Sequence, residues 1–184
     1  MSQYQTFYGE VSADVWHKAQ QIKLLICDVD GVFSDGRIYM GNDGEELKAF
    51  HTRDGYGVKA LLSSNIQVAV ITGRQSNIVE RRMTALGISH IYQGIDNKLV
   101  PFQRLLETYQ LTPEQVAYIG DDMVDLPVMQ QVGLGVCVAD GHPAVKQQAD
   151  FVTSINGGYG AVRELADLLL LSQNLLQQAH GMSV

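Results

Sequence analysis

The sequence predicts an α/β fold: a doubly wound parallel sheet with helices on both faces and a small β-hairpin insertion. Three observations predict it. Short apolar runs of strand length alternate with helical patterns along most of the chain, and no repeat or low-complexity stretch interrupts them. One segment breaks the alternation: "GRIYMGNDGEELKAF", Gly36 to Phe50, has two strand-like halves around Asn42-Asp43-Gly44, a strong hairpin signal. The length of 184 residues suits a single domain, residues 1–184, that buries roughly 70% of its unfolded surface in one core.

In chain order, a helix is expected near Ser12–Gln20 and the first strand over Lys23–Val29. The hairpin follows, and because an isolated hairpin is marginal in water it needs a surface to lie against. Helices near Gly55–Ser63, Ser76–Leu86 and Leu99–Tyr109 then alternate with strands at Gln67–Ile71 and His90–Tyr92. In "LTPEQ", Thr112 can cap and Pro113 fits a first helical turn, although a turn ahead of the strand at Val116–Ile119 fits equally well. Further helices near Asp125–Gln131 and Pro143–Gln148 alternate with strands at Gly135–Val138 and Phe151–Val152. Gly157 and Gly158 read as a flexible entry to the last helix, "GAVRELADLLLLSQNLLQQA". Its apolar face is broader than one core contact demands. A subunit interface explains the excess, and packing on the chain's own sheet is the plainer alternative.

Composition narrows the function classes. A net charge of -7 argues against nucleic-acid or anionic-membrane partners, which require a basic face, but it leaves room for a small anionic substrate. Cys27 and Cys137 both sit in strand-like runs and form no C-x-x-C pair, so neither a disulfide framework nor a zinc site is expected. The histidines at positions 17, 51, 90, 142 and 180 show no paired spacing. The start of the chain lacks a basic segment followed by an apolar stretch, and no apolar run approaches the roughly 20 residues of a membrane helix. A cytoplasmic protein is expected.

In such a sheet, ligands gather outside the carboxyl ends of the strands, and four of those ends carry reactive groups. "LLICDVDGVFSDG" delivers Asp28 and Asp30 from a buried strand. Like charges held that close raise each other's proton affinity, so a cation or a protonation task is implied. Alone, a D-x-D-G stretch more often marks a turn or a cap. "VAVITGRQSN" adds Thr72, Gly73 and Arg74: a hydroxyl, close backbone approach and a fixed cation, where the plainer alternative is a helix cap by Thr72 or Ser76 and a solvated arginine. "GIDNKLVPF" places Lys98 at the opening of a helix, and "VAYIGDDMVDLPVM" supplies Asp121, Asp122 and Asp125, more acids than one cap can use. Hard oxygen ligands without histidine or thiolate favour magnesium over zinc. Thr72 and Lys98 then offer donors to an anion's remaining oxygens.

In the order "DVDGV", "ITGR", Lys98 and "GDDMVD", these motifs resemble those of the haloacid dehalogenase-like phosphatase superfamily along nearly the whole chain, which implies a Rossmann-like core. The resemblance implies Asp28 as nucleophile, Asp30 as general acid and base, Thr72 and Lys98 as phosphate binders, and a magnesium ion held by the Asp28 side chain, the Asp30 carbonyl and Asp121. Asp122 would hold a metal-bound water and Asp125 would brace the site from behind. The superfamily's cap domain has no room in either interval where it is usually inserted, so closure by a neighbouring subunit is expected.

Within the capless group the chain is similar to the 3-deoxy-D-manno-octulosonate 8-phosphate phosphatase family, through "DVDGVFSDGRIY", "HTRDGYGVKAL", "ITGRQSNIVERR", "GDDMVDLPVM" and "NGGYGAVRE". Phe33-Ser34 departs from that family's frequent Leu-Thr, outside the catalytic positions. The likeness implies a homotetramer in lipopolysaccharide sugar synthesis, with Arg74 and Arg82 binding the sugar acid's carboxylate. It also implies that the terminal segment reaches a neighbour's site. Competing readings are an acylneuraminate 9-phosphate or broader sugar-phosphate phosphatase, a phospho-accepting receiver-like domain, and a noncatalytic subunit. A receiver's accepting aspartate lies on a later strand, whereas Asp28 ends the first strand and is followed two residues on by Asp30.

Overall fold

The structure, a computed structural model, describes residues 3–181. Strands β1 (Gln3–Gln5) and β2 (Glu10–Ser12) form a small antiparallel hairpin ahead of helix α1 (Ala13–Gln21). The sequence pattern gave no sign of this hairpin, because its strands are polar and only Val11 is buried. Tyr4 anchors it by stacking on Trp16 with ring centroids 4.6 Å apart. Ser12 caps α1 by accepting from the Val15 amide.

Strands β3 (Leu24–Cys27), β6 (Gln67–Ile71), β7 (His90–Tyr92), β8 (Val116–Gly120), β9 (Leu134–Cys137) and β10 (Phe151–Val152) make one parallel sheet in the order β10-β9-β8-β3-β6-β7. This is the doubly wound order expected. Strand β3, first of the six in chain order, lies at the centre, and the winding reverses between β3 and β8. A crevice opens at such a reversal, outside the carboxyl ends of the strands.

Every residue of β3 is buried, and period-two alternation divides them between two cores. Leu25 and Cys27 face a core covered by α1, α2 (Thr52–Ser63), α3 (Asn77–Ala85) and α7 (Ala161–Ser172). Leu24 and Ile26 face Phe102 and Leu105 of α4 (Leu99–Tyr109), Val128 of α5 (Leu126–Met129) and Val145 of α6 (Pro143–Lys146). Full burial of side chains this size contributes about 1.5–3 kcal/mol each, so both faces bind their helices firmly.

Three expectations are refined. "LTPEQ" forms a single 3-10 turn, Pro113–Gln115, in which the Thr112 amide donates to Gln115 Oε1 at 3.1 Å. The last helix ends at Ser172, and Asn174 takes a left-handed conformation (φ 58°) that breaks it. Its leucines are not a free interface: Leu165, Leu168, Leu169 and Leu170 are buried in the chain's own core, because α1 and α2 both pack on this helix and cover more than one face. The predicted hairpin is a short pair, β4 (Tyr39–Met40) with β5 (Glu46–Leu47). Ile38, Tyr39, Met40 and Leu47 on it remain exposed.

Candidate active site

The β3 ladder delivers Asp28 to the reversal point. The Asp28 amide still donates to Ile119 O of β8 at 3.0 Å, so the backbone is held by the sheet while the side chain leaves it. Asp121 follows β8, on the other side of the same crevice. Thr72 follows β6, and its amide is tied to Tyr92 O at 2.9 Å. Ser76, not Thr72, caps α3, which leaves the Thr72 hydroxyl at the crevice. Lys98 sits where the chain turns into α4, with Asn97 Oδ1 accepting from the Leu99 amide.

These positions converge on an open cavity of about 280 Å³ lined by Asp28, Asp30, Thr72, Gly73, Arg74, Lys98, Asp121 and Asp122, together with Gly36 and Val124. Larger surface cavities lie away from these groups. Asp125 is fully buried beneath the cavity. Its Oδ1 accepts from Lys98 Nζ at 2.7 Å and from the Tyr118 hydroxyl at 2.6 Å, while its Oδ2 accepts from the Asp121 and Asp122 amides at 3.0 and 3.2 Å. With both oxygens engaged, Asp125 fixes the lysine and the loop that carries Asp121. Asp122 is exposed and caps the turn Met123–Asp125 through the Met123 amide.

Lys98 is buried, and its ammonium also lies 3.0 Å from Asp28 Oδ1 and 3.2 Å from the Tyr118 hydroxyl. Burial alone would lower the pKa of Lys98, but the carboxylates of Asp28 and Asp125 outweigh it and raise the value. The acids show the opposite balance. Burial and the Asp125 charge push Asp28 up to about 6 despite Lys98, and burial with Asp28, Asp125 and Asp122 pushes Asp121 up to about 8. The cluster therefore carries more negative charge than Lys98 compensates.

Asp28, Asp121 and Asp125 offer oxygens within 4.8 Å of one another, a grouping that could hold a cation. Asp125 has no lone position to give, so the available side-chain donors are those of Asp28 and Asp121. Asp28 Oδ1 is buried without an aligned hydrogen-bond donor, its contact with Lys98 being an ion pair. Gly31 keeps the approach clear: at φ +88° a side-chain carbon there would fall 2.1 Å from Asp121 Oδ2. An all-oxygen set with an orphaned buried carboxylate oxygen fits a hard divalent cation such as magnesium.

One residue expected at the site lies elsewhere in the chain. Arg82 does not line the cavity, and its guanidinium lies against Gly55 of α2, where a side-chain carbon would come within 2.7 Å of Nη2. Helix α3 starts at the carboxyl edge of the sheet and runs back along its face, so a residue in its last turn is carried away from the crevice. Three groups went unnoticed in the sequence. Tyr118 carried a signal, since a buried tyrosine on a strand needs a partner for its hydroxyl. Glu46 and Lys48, alternate residues of the hairpin, reach Asp30 and Arg74.

Residues 90–165 match the family described as haloacid dehalogenase-like hydrolase. The chain is 60% identical to the 3-deoxy-D-manno-octulosonate 8-phosphate phosphatase KdsC of Escherichia coli over 97% of this chain and 95% of that protein. A crystal structure of 3-deoxy-D-manno-octulosonate 8-phosphate phosphatase from Yersinia pestis superposes with a TM-score of 0.98 at 58% identity, covering 100% of this chain and 99% of that one. A second, from Moraxella catarrhalis in complex with magnesium ion, phosphate ion and a KDO molecule, superposes with a TM-score of 0.89 at 42% identity over 91% of this chain and 97% of that one. With the crevice, the acids and the lysine arranged as described, the chain belongs to the haloacid dehalogenase-like hydrolases, in the family of the 3-deoxy-D-manno-octulosonate 8-phosphate phosphatases.

Proposed function

We propose that the chain is a magnesium-dependent phosphatase that hydrolyses 3-deoxy-D-manno-octulosonate 8-phosphate to the free sugar acid and phosphate, in lipopolysaccharide biosynthesis. The observation that carries this reading is the meeting of Asp28, Lys98 and Asp121 at the carboxyl ends of the sheet, in a chain so close to the curated phosphatases. Bound between Asp28 and Asp121, magnesium would supply charge neutralisation at the phosphoryl oxygens.

Asp28 attacks phosphorus in line and forms an aspartyl-phosphate while the sugar oxygen leaves. Lys98 and the Thr72 hydroxyl hold the phosphoryl oxygens, and Lys98 keeps its charge in the buried site because Asp28 and Asp125 hold its proton. Asp30 gives a proton to the departing alkoxide, then takes one from the water that splits the intermediate. Arg74 meets the substrate's carboxylate from the rim, where its side chain is 44% exposed. Asp122 would help hold the hydrated cation when it is bound, and Asp125 keeps Lys98 and the Asp121 loop in place.

The open cavity and the exposed apolar residues of the hairpin support closure by a second copy of the chain, in a cytoplasmic homotetramer working as one domain per subunit. No helix among the described residues is long and apolar enough to cross a membrane. The test is turnover by purified protein with magnesium across a panel of sugar phosphates. Fastest hydrolysis of the eight-carbon keto-acid phosphate is expected, and equal turnover of short uncharged sugar phosphates would overturn the carboxylate-binding role of Arg74.

A further inference from the structure

The hairpin sends two charged side chains, which the strand-end motifs do not account for, to Asp30 and Arg74 at the cavity wall. Glu46 and Lys48 are alternate residues, so an extended segment projects both to one side. The Lys48 side chain is fully buried, and its ammonium makes a close ion pair with Asp30 Oδ1. The same nitrogen lies 3.5 Å from Glu46 Oε1, a buried oxygen without a hydrogen-bond donor. Glu46 Oε2 accepts from Arg74 Nη2 at 3.0 Å, and Arg74 Nε lies 3.9 Å from Asp30 Oδ2. Two acids and two cations thus alternate around a closed ring that joins Asp30 to Arg74.

We propose that Lys48 is a positioning residue for Asp30, and that Glu46 makes its hold depend on whether Arg74 has bound a carboxylate; this rests on the function proposed above. A substrate carboxylate competes with Glu46 for the Arg74 N–H groups, for which it can be a bidentate partner. Released from Arg74, Glu46 loses the donor to Oε2 while Oε1 already lacks one, and Lys48 needs to move only about half an ångström to reach hydrogen-bond distance from Oε1. Its grip on Asp30 then loosens and the carboxyl group swings toward the leaving oxygen. A flexible stem with a compact ammonium suits such an exchange better than the rigid fork of arginine. The consequence is discrimination in the chemical step: substrates that carry an acid group present the proton donor, and others do not.

Steady-state kinetics at saturating magnesium test this with wild type, Lys48→Met and Glu46→Gln. The substrates are the keto-acid sugar phosphate, an uncharged sugar phosphate, and p-nitrophenyl phosphate, whose leaving group needs no proton. For Lys48→Met, which frees Asp30 whether or not a carboxylate is bound, kcat/KM on the uncharged sugar phosphate is expected to rise roughly tenfold toward that on the keto-acid phosphate, with p-nitrophenyl phosphate changed less than about threefold, and an unchanged preference between the two sugars would overturn the proposal. For Glu46→Gln, kcat on the keto-acid phosphate is expected to fall roughly tenfold with KM unchanged or lower, while turnover of the uncharged sugar stays near wild type. Equal losses on all three substrates, a loss confined to KM, or wild-type ratios in Glu46→Gln would overturn the proposal. Wild-type preference for the keto-acid phosphate checks the underlying function separately, and Glu46→Gln alone decides the matter if Lys48→Met does not fold.

Discussion

Asp28→Asn separates the chemistry of the site from its electrostatic cost. In the metal-free chain, burial and the Asp125 charge hold the Asp28 pKa at about 6 against an ordinary 3.8. Between those values the folded chain keeps a proton that the unfolded chain has released, so stability falls as pH rises through the window. About two pKa units correspond to about 3 kcal/mol, present in full below about pH 4 and lost above about pH 6. For 184 residues, 1 kcal/mol moves the melting temperature by about 2–4 °C. An asparagine of the same shape removes that ionisation cost and also relieves Asp121, whose pKa Asp28 helps raise. Thermal melts in chelator at about pH 8 should therefore place Asp28→Asn up to ~10 °C above wild type, and melts at about pH 4 should coincide. Added magnesium should raise wild type far more than the variant, and the variant should show no turnover, because an amide cannot form the acyl phosphate. A variant no more stable than wild type in chelator at about pH 8 would refute the charge-crowding argument, and residual turnover would refute the nucleophile.

Lys98→Met removes the buried cation between Asp28 and Asp125; turnover should vanish and denaturant melts at neutral pH should register a loss of about 3 kcal/mol or more. Gly31→Ala places a carbon on Asp121 Oδ2 at a backbone angle that disfavours side chains. The magnesium concentration that half-activates it should rise at least about tenfold, with a conformational cost to stability of about 1–2 kcal/mol. Tyr118→Phe deletes the hydroxyl that donates to Asp125 at 2.6 Å. Melts should register a loss of about 1–2 kcal/mol and the assay a several-fold lower kcat, with KM nearly unchanged.

The sequence by itself determined the alternation of strands and helices along the chain and the residues that end the strands. A fully buried strand such as Leu24–Cys27 must be written in apolar residues, and the acids that end it stand out against that background. Lys98 and Asp121 were legible for the same reason, each lying just past a strand or at a helix opening. The polar hairpin of β1 and β2 was not legible, because one buried valine leaves no periodic signal. Only the tertiary structure decided what the side chains touch. It buried the leucines of α7 between two helices of the same chain, carried Arg82 away from the crevice, and brought Lys48 to Asp30 across eighteen residues of chain and Glu46 to Arg74 across twenty-eight. Local pattern records which face a residue turns toward, but not which distant charge waits there, since that depends on how elements far apart in sequence pack together.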